Sequence, residues 1–294
     1  MASLTDTGRF PRAKAIISSL SGLSRVKILL LVAVTSRPRY RSLVHALLKL
    51  ISPGSRISFR YKIANRKIVS FLRWEYLDSD LQSALELAVG DCYRLKQLQR
   101  PDFIVDGGSN SGLFLLAASA RWTGVPIVAF EPVPANVEII KAHLIANHFE
   151  GSVRVVQAAL AGKDGSKRFY LREANQGSFT DELPAEGFMD VETLALAPFL
   201  PSDPNLLKLI KLDIEGGEVE VLDALFRDGG IRKTIIVMEL HNTPVTRPWI
   251  EELAHRIGYR IEFYEVGSVT AHCQLLSPDL LATDTLIPAS TLSV

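Results

Sequence analysis

The chain has 294 residues but only two cysteines, three methionines and three tryptophans. Cys92 and Cys273 stand far apart without metal-ligand spacing, which argues against a disulfide framework and a cysteine zinc site. A reducing compartment is the expectation. Long hydrophobic runs are missing too: Val26–Val34 is far shorter than the roughly 20 apolar residues that span a bilayer. It also lacks a small-residue cleavage site and its basic surroundings continue well past it, so no secretion signal and a cytoplasmic place are expected. Internal repeats and low-complexity tracts are absent.

Acid is nearly lacking from the first quarter. Residues 1–73 hold 15 of the 33 Lys and Arg but a single acid, Asp6, so the remainder carries 18 basic and 31 acidic side chains. The formal net charge of +1 hides this asymmetry, which puts a boundary near Arg73. Residues 1–73 are expected to form a basic helical N-terminal extension, and 74–294 the main domain. Within the extension, Leu43, Val44, Leu47, Leu48, Leu50 and Ile51 recur at helical spacing beside Arg37, Arg39, Arg41 and Lys49. Such a helix either touches an anionic membrane surface weakly or packs its apolar stripe on the acidic body. A nucleic-acid partner is not expected.

What is present is an alternation of apolar segments. Leu81, Ala84, Leu85, Ala88 and Leu95 predict a helix over Asp80–Leu98, with Asp78 or Ser79 as its N-cap. Short apolar runs at Phe103–Val105, Pro126–Phe130, Val153–Gln157, Leu207–Leu212 and Thr234–Leu240 predict buried strands. Helical patterns at Leu113–Arg121, Ala135–Asn147 and Glu218–Phe226 intervene, the succession of βαβ units, so the fold class is α/β with a doubly wound sheet. Lys163-Asp164-Gly165 resembles a hairpin turn, and Pro198–Pro204 a loop. Two late strands, Arg260–Val266 and Cys273–Leu276, follow a helix at Ile250–Ile257.

The first strand ends in Asp106-Gly107-Gly108-Ser109-Asn110-Ser111-Gly112. In open α/β sheets ligands bind at this strand-to-helix turn, where glycine allows a sharp bend and close approach. Asp106, Gly108, Asn110 and Gly112 are therefore cofactor-site candidates. Glu131, at the end of the second strand and 25 residues after Asp106, is placed to accept both ribose hydroxyls of an adenosine-like ligand. The glycine spacing departs from G-x-G-x-x-G, which disfavours a nicotinamide dehydrogenase and suits a ligand without pyrophosphate. S-adenosylmethionine meets that description.

Ile104–Gly112, Ala129-Phe130-Glu131-Pro132 and above all Leu209-Ile210-Lys211-Leu212-Asp213-Ile214-Glu215-Gly216-Gly217-Glu218 resemble the FkbM-type S-adenosylmethionine-dependent methyltransferases. The resemblance covers roughly residues 100–266. It implies a class I methyltransferase (Rossmann-like) fold with a mainly parallel seven-stranded sheet, so that 74–294 would be the methyltransferase domain. It further implies methyl transfer to a hydroxyl of a sugar, glycan or secondary metabolite. Gly107 and Ser109 depart from the commoner aliphatic residue and alanine, and both are small enough to leave the turn intact.

Methyl transfer to a hydroxyl of ordinary acidity needs a base or a metal. The ends of the fourth and fifth strands supply Asp213, Glu215, Glu239 and His241 as catalytic candidates. His241 suits a general base, or else only bonds backbone in a loop. Asp213, Glu239 and Asn242 form an alternative Mg²⁺ set. Glu218 suits the N-terminal dipole of the next helix, and Lys211 is expected to pair with one of the acids. Asn175–Phe179 either covers the acceptor site or is an ordinary hairpin loop. A rival outside catalysis is a scaffold that keeps the cofactor fold without turnover.

Overall fold

A computed structural model describes residues 56–73, 76, 79–80, 83–84, 87, 91–171, 177–179, 187–227, 231–241, 243–266 and 270–281. The amphipathic pattern at residues 43–51 and Asn242 lie outside the described residues.

The predicted strands assemble into one seven-stranded sheet. Its members are β3 (Phe103–Gly107), β4 (Ile127–Phe130), β5 (Val153–Val156), β10 (Lys208–Leu212), β11 (Thr234–Leu240), β12 (Arg260–Val266) and β13 (Thr270–Leu276), in the order β12-β13-β11-β10-β3-β4-β5. β11, β10, β3, β4 and β5 pair in parallel, whereas β13 is antiparallel to both its neighbours. This mainly parallel order with one reversed strand is the class I methyltransferase arrangement. The chain leaves β3 toward β4 and later returns on its other side as β10, so a crevice opens at the carboxyl ends of β3 and β10.

Two apolar layers flank the sheet. Ile104, Ile127 and Leu209 pack with helices α1 (Leu113–Arg121) and α2 (Pro134–Asn147) on one face. Val105, Ile210 and Ile236 pack with α3 (Glu218–Leu225) and α4 (Thr243–Ile257) on the other. Burial on both faces explains why the central strands are continuous apolar runs rather than alternating ones. Each fully buried aliphatic side chain contributes about 1.5–3 kcal/mol. Trp122 belongs to the first layer. The helix expected over Asp80–Leu98 does not extend to its end: Asp91 and Arg94 adopt left-handed backbone angles, and Leu95–Gln97 form a single 3-10 turn.

A smaller sheet, β6-β9-β7-β8, is built from β6 (Ala159–Leu160), β7 (Gly165–Leu171), β8 (Gly177–Ser178) and β9 (Gly187–Leu194). Lys163–Gly165 is not a hairpin turn, because β9 lies between β6 and β7 and pairs with both. β7 and β8 pair antiparallel, which places Gly177 and Ser178 of the expected loop in a strand, while residues 175 and 176 lie outside the described residues.

The basic extension also differs from expectation where it is described. Arg56–Ile63 (β1) and Arg66–Arg73 (β2) form an antiparallel hairpin, not a helix. Ile57, Phe59, Ile68, Ser70 and Leu72 are buried at every second position, the period of a strand. The hairpin packs against α2 and α1, so the domain begins no later than Arg56.

One polar stripe of α2 substitutes for a missing neighbour strand. Val69 N–H donates to Asn147 Oδ1 (2.8 Å) and Phe71 N–H to His143 Nε2 (2.7 Å), while Arg73 N–H donates to Asp80 Oδ2 (2.8 Å). These contacts satisfy backbone groups that would otherwise be an open sheet edge. His143 Nδ1 bonds Ser111 O at 2.8 Å, which fixes the neutral tautomer with the proton on Nδ1. Burial lowers this histidine to about 4.

Candidate active site

The glycine loop owes its glycines to packing between chain segments. Gly108 has φ +72°, and a Cβ there would lie 1.9 Å from Asp213 O, so only glycine lets the ends of β3 and β10 meet. Gly112, at φ +79°, faces Ile140 of α2, where a Cβ would approach to 2.9 Å. Between them Asn110 is also left-handed, at φ +47°.

Glu131 closes this end of the cleft. Its Oε2 accepts from Asn110 N–H (2.7 Å), and its Oε1 from Val133 N–H (2.9 Å) and Asn136 Nδ2 (3.0 Å). A carboxylate has about four acceptor positions, so three are taken and room remains for one ligand hydroxyl rather than two. Burial pushes Glu131 up to about 7 despite these donors.

At the other end lie Asp213, Glu215, Glu218 and His241. Buried Lys211 stands 3.2 Å from Asp106 Oδ1 and 3.6 Å from Asp213 Oδ2, and donates to the carbonyls of Gly107 and Gly108. Tyr93 OH donates to Asp213 Oδ2 at 3.1 Å. Burial would raise Asp213, but Lys211, His241 and the Tyr93 hydrogen bond hold it below the usual carboxylate range. His241 Nδ1 is 2.9 Å from Glu218 Oε1, and its Nε2 is 3.4 Å from Glu215 and 3.8 Å from Asp213. Burial would lower His241, yet these carboxylates raise it to about 10.

Between the two ends is an open cleft lined by Gly108, Asn110, Glu131, Asp213 and Glu215, with Phe130, Leu160, Phe169 and Phe179 among its apolar neighbours. Residues 106–264, more than half of the chain, match the methyltransferase FkbM domain. The chain belongs to the FkbM methyltransferase family. A methyltransferase from Sordaria araneosa, sdnD, is 26% identical over 208 residues, which cover 60% of this chain and 80% of that one. The 31-O-demethyl-FK506 methyltransferase FkbM of Streptomyces tacrolimicus is 29% identical over 126 residues, covering 42% and 47%. The crystal structure of a methyltransferase FkbM from Methylobacillus flagellatus aligns over 91% of this chain and 59% of its own, with a TM-score of 0.46 and 12% identity.

Membership makes the protein a methyltransferase and implies S-adenosylmethionine as methyl donor. The cleft fits such a ligand: Glu131 retains an acceptor position for a hydroxyl, and aromatic side chains offer a wall for a base. Among the expected FkbM site residues, Gly108, Asn110, Glu131, Asp213 and Glu215 share the cleft. Asp106 lies fully buried beneath it against Lys211, Gly112 packs on α2, and Glu239 faces His272 at 4.0 Å. His241 joins the cleft through Glu215 and Asp213.

Donor atoms of Asp213, Glu215 and His241 lie within 4.8 Å of one another, a grouping that can hold a cation. Glu239 of the expected Mg²⁺ set is not in it. Lys211 and the His241 proton already supply two positive charges there. Sequence reasoning missed Tyr93, Phe169 and the partnership of Glu218 with His241. Only Glu218 carried a signal, as the last acid of the Lys211–Glu218 string.

Proposed function

We propose that this methyltransferase uses S-adenosylmethionine to methylate a hydroxyl of a sugar, glycan or secondary metabolite. The observation that carries this reading is the convergence of three adjacent strand ends, those of β4, β3 and β10, on one cleft. The name of the Streptomyces relative, which specifies a 31-O-demethyl substrate, supports an oxygen acceptor. Glu131 and the Gly108–Asn110 turn would hold the nucleoside end of the donor, and Phe179, in the cleft wall, would offer a face to its base. The bound donor supplies a methyl group activated by its sulfonium, so this chain's share is alignment of the acceptor oxygen and removal of its proton.

His241 enters the reaction as imidazolium at neutral pH and cannot itself take that proton. Asp213 is weakened as a base by buried Lys211 and the Tyr93 hydrogen bond, beyond the His241 charge that it shares with Glu215. Glu215 is therefore assigned as proton acceptor. It lines the cleft in a left-handed backbone conformation (φ +55°), strain of the kind that collects at working sites. Asp213 and Glu218 orient His241, whose charge holds Glu215 in place.

The test is incubation with methyl-labelled S-adenosylmethionine and a panel of hydroxyl-bearing sugars and secondary metabolites. The expected result is release of S-adenosylhomocysteine and label that survives mild alkali, as an ether does and a methyl ester does not. Base-labile label would move the acceptor to a carboxylate. Cofactor binding without release across the panel and a cell extract would favour the scaffold.

A further inference from the structure

Arg73 lies at the end of the β1–β2 hairpin, outside the residues that match the FkbM domain. It is buried at 7% exposure, and its guanidinium serves three partners. Nε and Nη2 face Asp80, Nη1 donates to Asn136 Oδ1 at 2.6 Å, and Nη2 donates to Asn110 Oδ1 at 3.2 Å. Asn136 in turn donates to Glu131 Oε1, and Asn110 N–H donates to Glu131 Oε2. Arg73, Asn136, Glu131 and Asn110 thus close a ring of four hydrogen bonds around the carboxylate of the cofactor end.

We infer that Arg73 is a positioning residue for the cofactor: the hairpin holds the side chain of Asn110 and, through Asn136, the carboxylate of Glu131 in the geometry that receives the nucleoside. Three features support it. Asn110 sits in a backbone region that non-glycine residues seldom occupy, and the Arg73 contact restrains it there. Only a planar guanidinium fork reaches three acceptors in fixed directions; a lysine ammonium does not. The buried carboxylate of Asp80 neutralises Arg73, so its action on the cleft is geometric rather than a long-range charge effect.

The inference rests on Glu131 being the cofactor-end carboxylate. The test is calorimetric titration of S-adenosylhomocysteine into the full chain and into Arg73→Met, Asn136→Ala, Glu131→Gln and Arg73→Met/Glu131→Gln. Asn136→Ala breaks the same ring while leaving the Arg73–Asp80 pair intact, which keeps the question answerable should Arg73→Met not fold. Each single change is expected to weaken binding roughly tenfold, the scale of one charge-assisted hydrogen bond. The double change is expected to be no worse than the weaker-binding single by more than about twofold, because both act through one carboxylate. In turnover, KM for S-adenosylmethionine should rise more than kcat falls.

Multiplying effects in the double variant, or a fall in kcat at unchanged KM, would overturn the inference in favour of plain support of the fold. Unchanged affinity in the Arg73 and Asn136 variants, with Glu131→Gln weakened, would end this inference alone. Unchanged affinity in Glu131→Gln would remove the cofactor-end assignment and the inference with it.

Discussion

The two ends of the cleft treat a histidine in opposite ways. Beside the glycine loop, His143 bonds the backbone of Ser111 and Phe71, and burial, helped by the nearby Arg56 and Arg73 charges, lowers it to about 4. At the end of β11, His241 meets three carboxylates and is raised to about 10. One end sets neutral donors directly on the carboxylate of Glu131, with the buried Arg73–Asp80 pair behind them. The other is built from opposed charges, with Lys211 and His241 set among Asp106, Asp213, Glu215 and Glu218. A neutral frame suits recognition of hydroxyls by direction, whereas the charged frame keeps a carboxylate ready to accept a proton in a partly dry cleft.

The contrast breaks most severely at Lys211. Replacing it with Met leaves Asp106 and Asp213 without their buried cation and frees the carbonyls of Gly107 and Gly108. The expected loss is about 3–5 kcal/mol of stability, read as a lowered urea midpoint. A variant as stable as the parent would show that the acids adopt their protonated forms without cost.

Next in size is Glu215→Gln, which retains shape and removes the proton acceptor. A fall in kcat of roughly 100-fold, with affinity for S-adenosylhomocysteine within about threefold, is expected from the usual worth of a general base. If His241 were the base instead, activity would climb steadily from pH 7 toward 10 as its proton left. A plateau over pH 6.5–9 is the expected profile.

The neutral end shows why parts of the molecule were legible from residue order and others were not. β3, β4, β10 and β11 announce themselves because burial on both faces demands unbroken apolar runs, and the glycine turn because its backbone tolerates no Cβ at Gly108. The β1–β2 hairpin was hidden: its basic residues swamp the two-residue alternation, and its turn uses Ala64-Asn65, both left-handed, where Asn-Gly is the usual marker. Arg73 and Asn136 are 63 positions apart, and Glu218 and His241 are 23 apart. Such pairs have no period to read; only the folded sheet brings them together.

The two histidines also predict opposite pH sensitivities of stability. His143 has a folded value of about 4, below its ordinary 6.5, so its contribution is complete above pH 6.5 and lost as pH falls toward 4. His241 has a folded value of about 10, above 6.5, so its contribution is complete below pH 6.5 and lost as pH rises toward 10. Each loss is on the order of 1–3 kcal/mol. Urea unfolding at pH 5, 7 and 9 of the parent, His143→Gln and His241→Gln checks this. His143→Gln should flatten only the acid limb and His241→Gln only the alkaline one. A limb that persists in its own variant would assign that sensitivity to other groups.

The smallest effect separates binding from chemistry most directly. Glu131 is raised to about 7 by burial, so in the free protein it gains its charge between pH 6 and 8. A ligand hydroxyl donates more strongly to the ionised carboxylate, and affinity for S-adenosylhomocysteine should tighten about three- to tenfold over that interval. Turnover at saturating donor should not follow it, because His241 keeps its proton throughout this interval. Glu131→Gln is expected to bind more weakly at every pH with no slope, since an amide does not titrate. Calorimetry at pH 6, 7 and 8 on both proteins reads this. An equal slope in the variant would shift the titration away from Glu131, and a matching slope in kcat would mean that the two ends of the cleft share one proton balance after all.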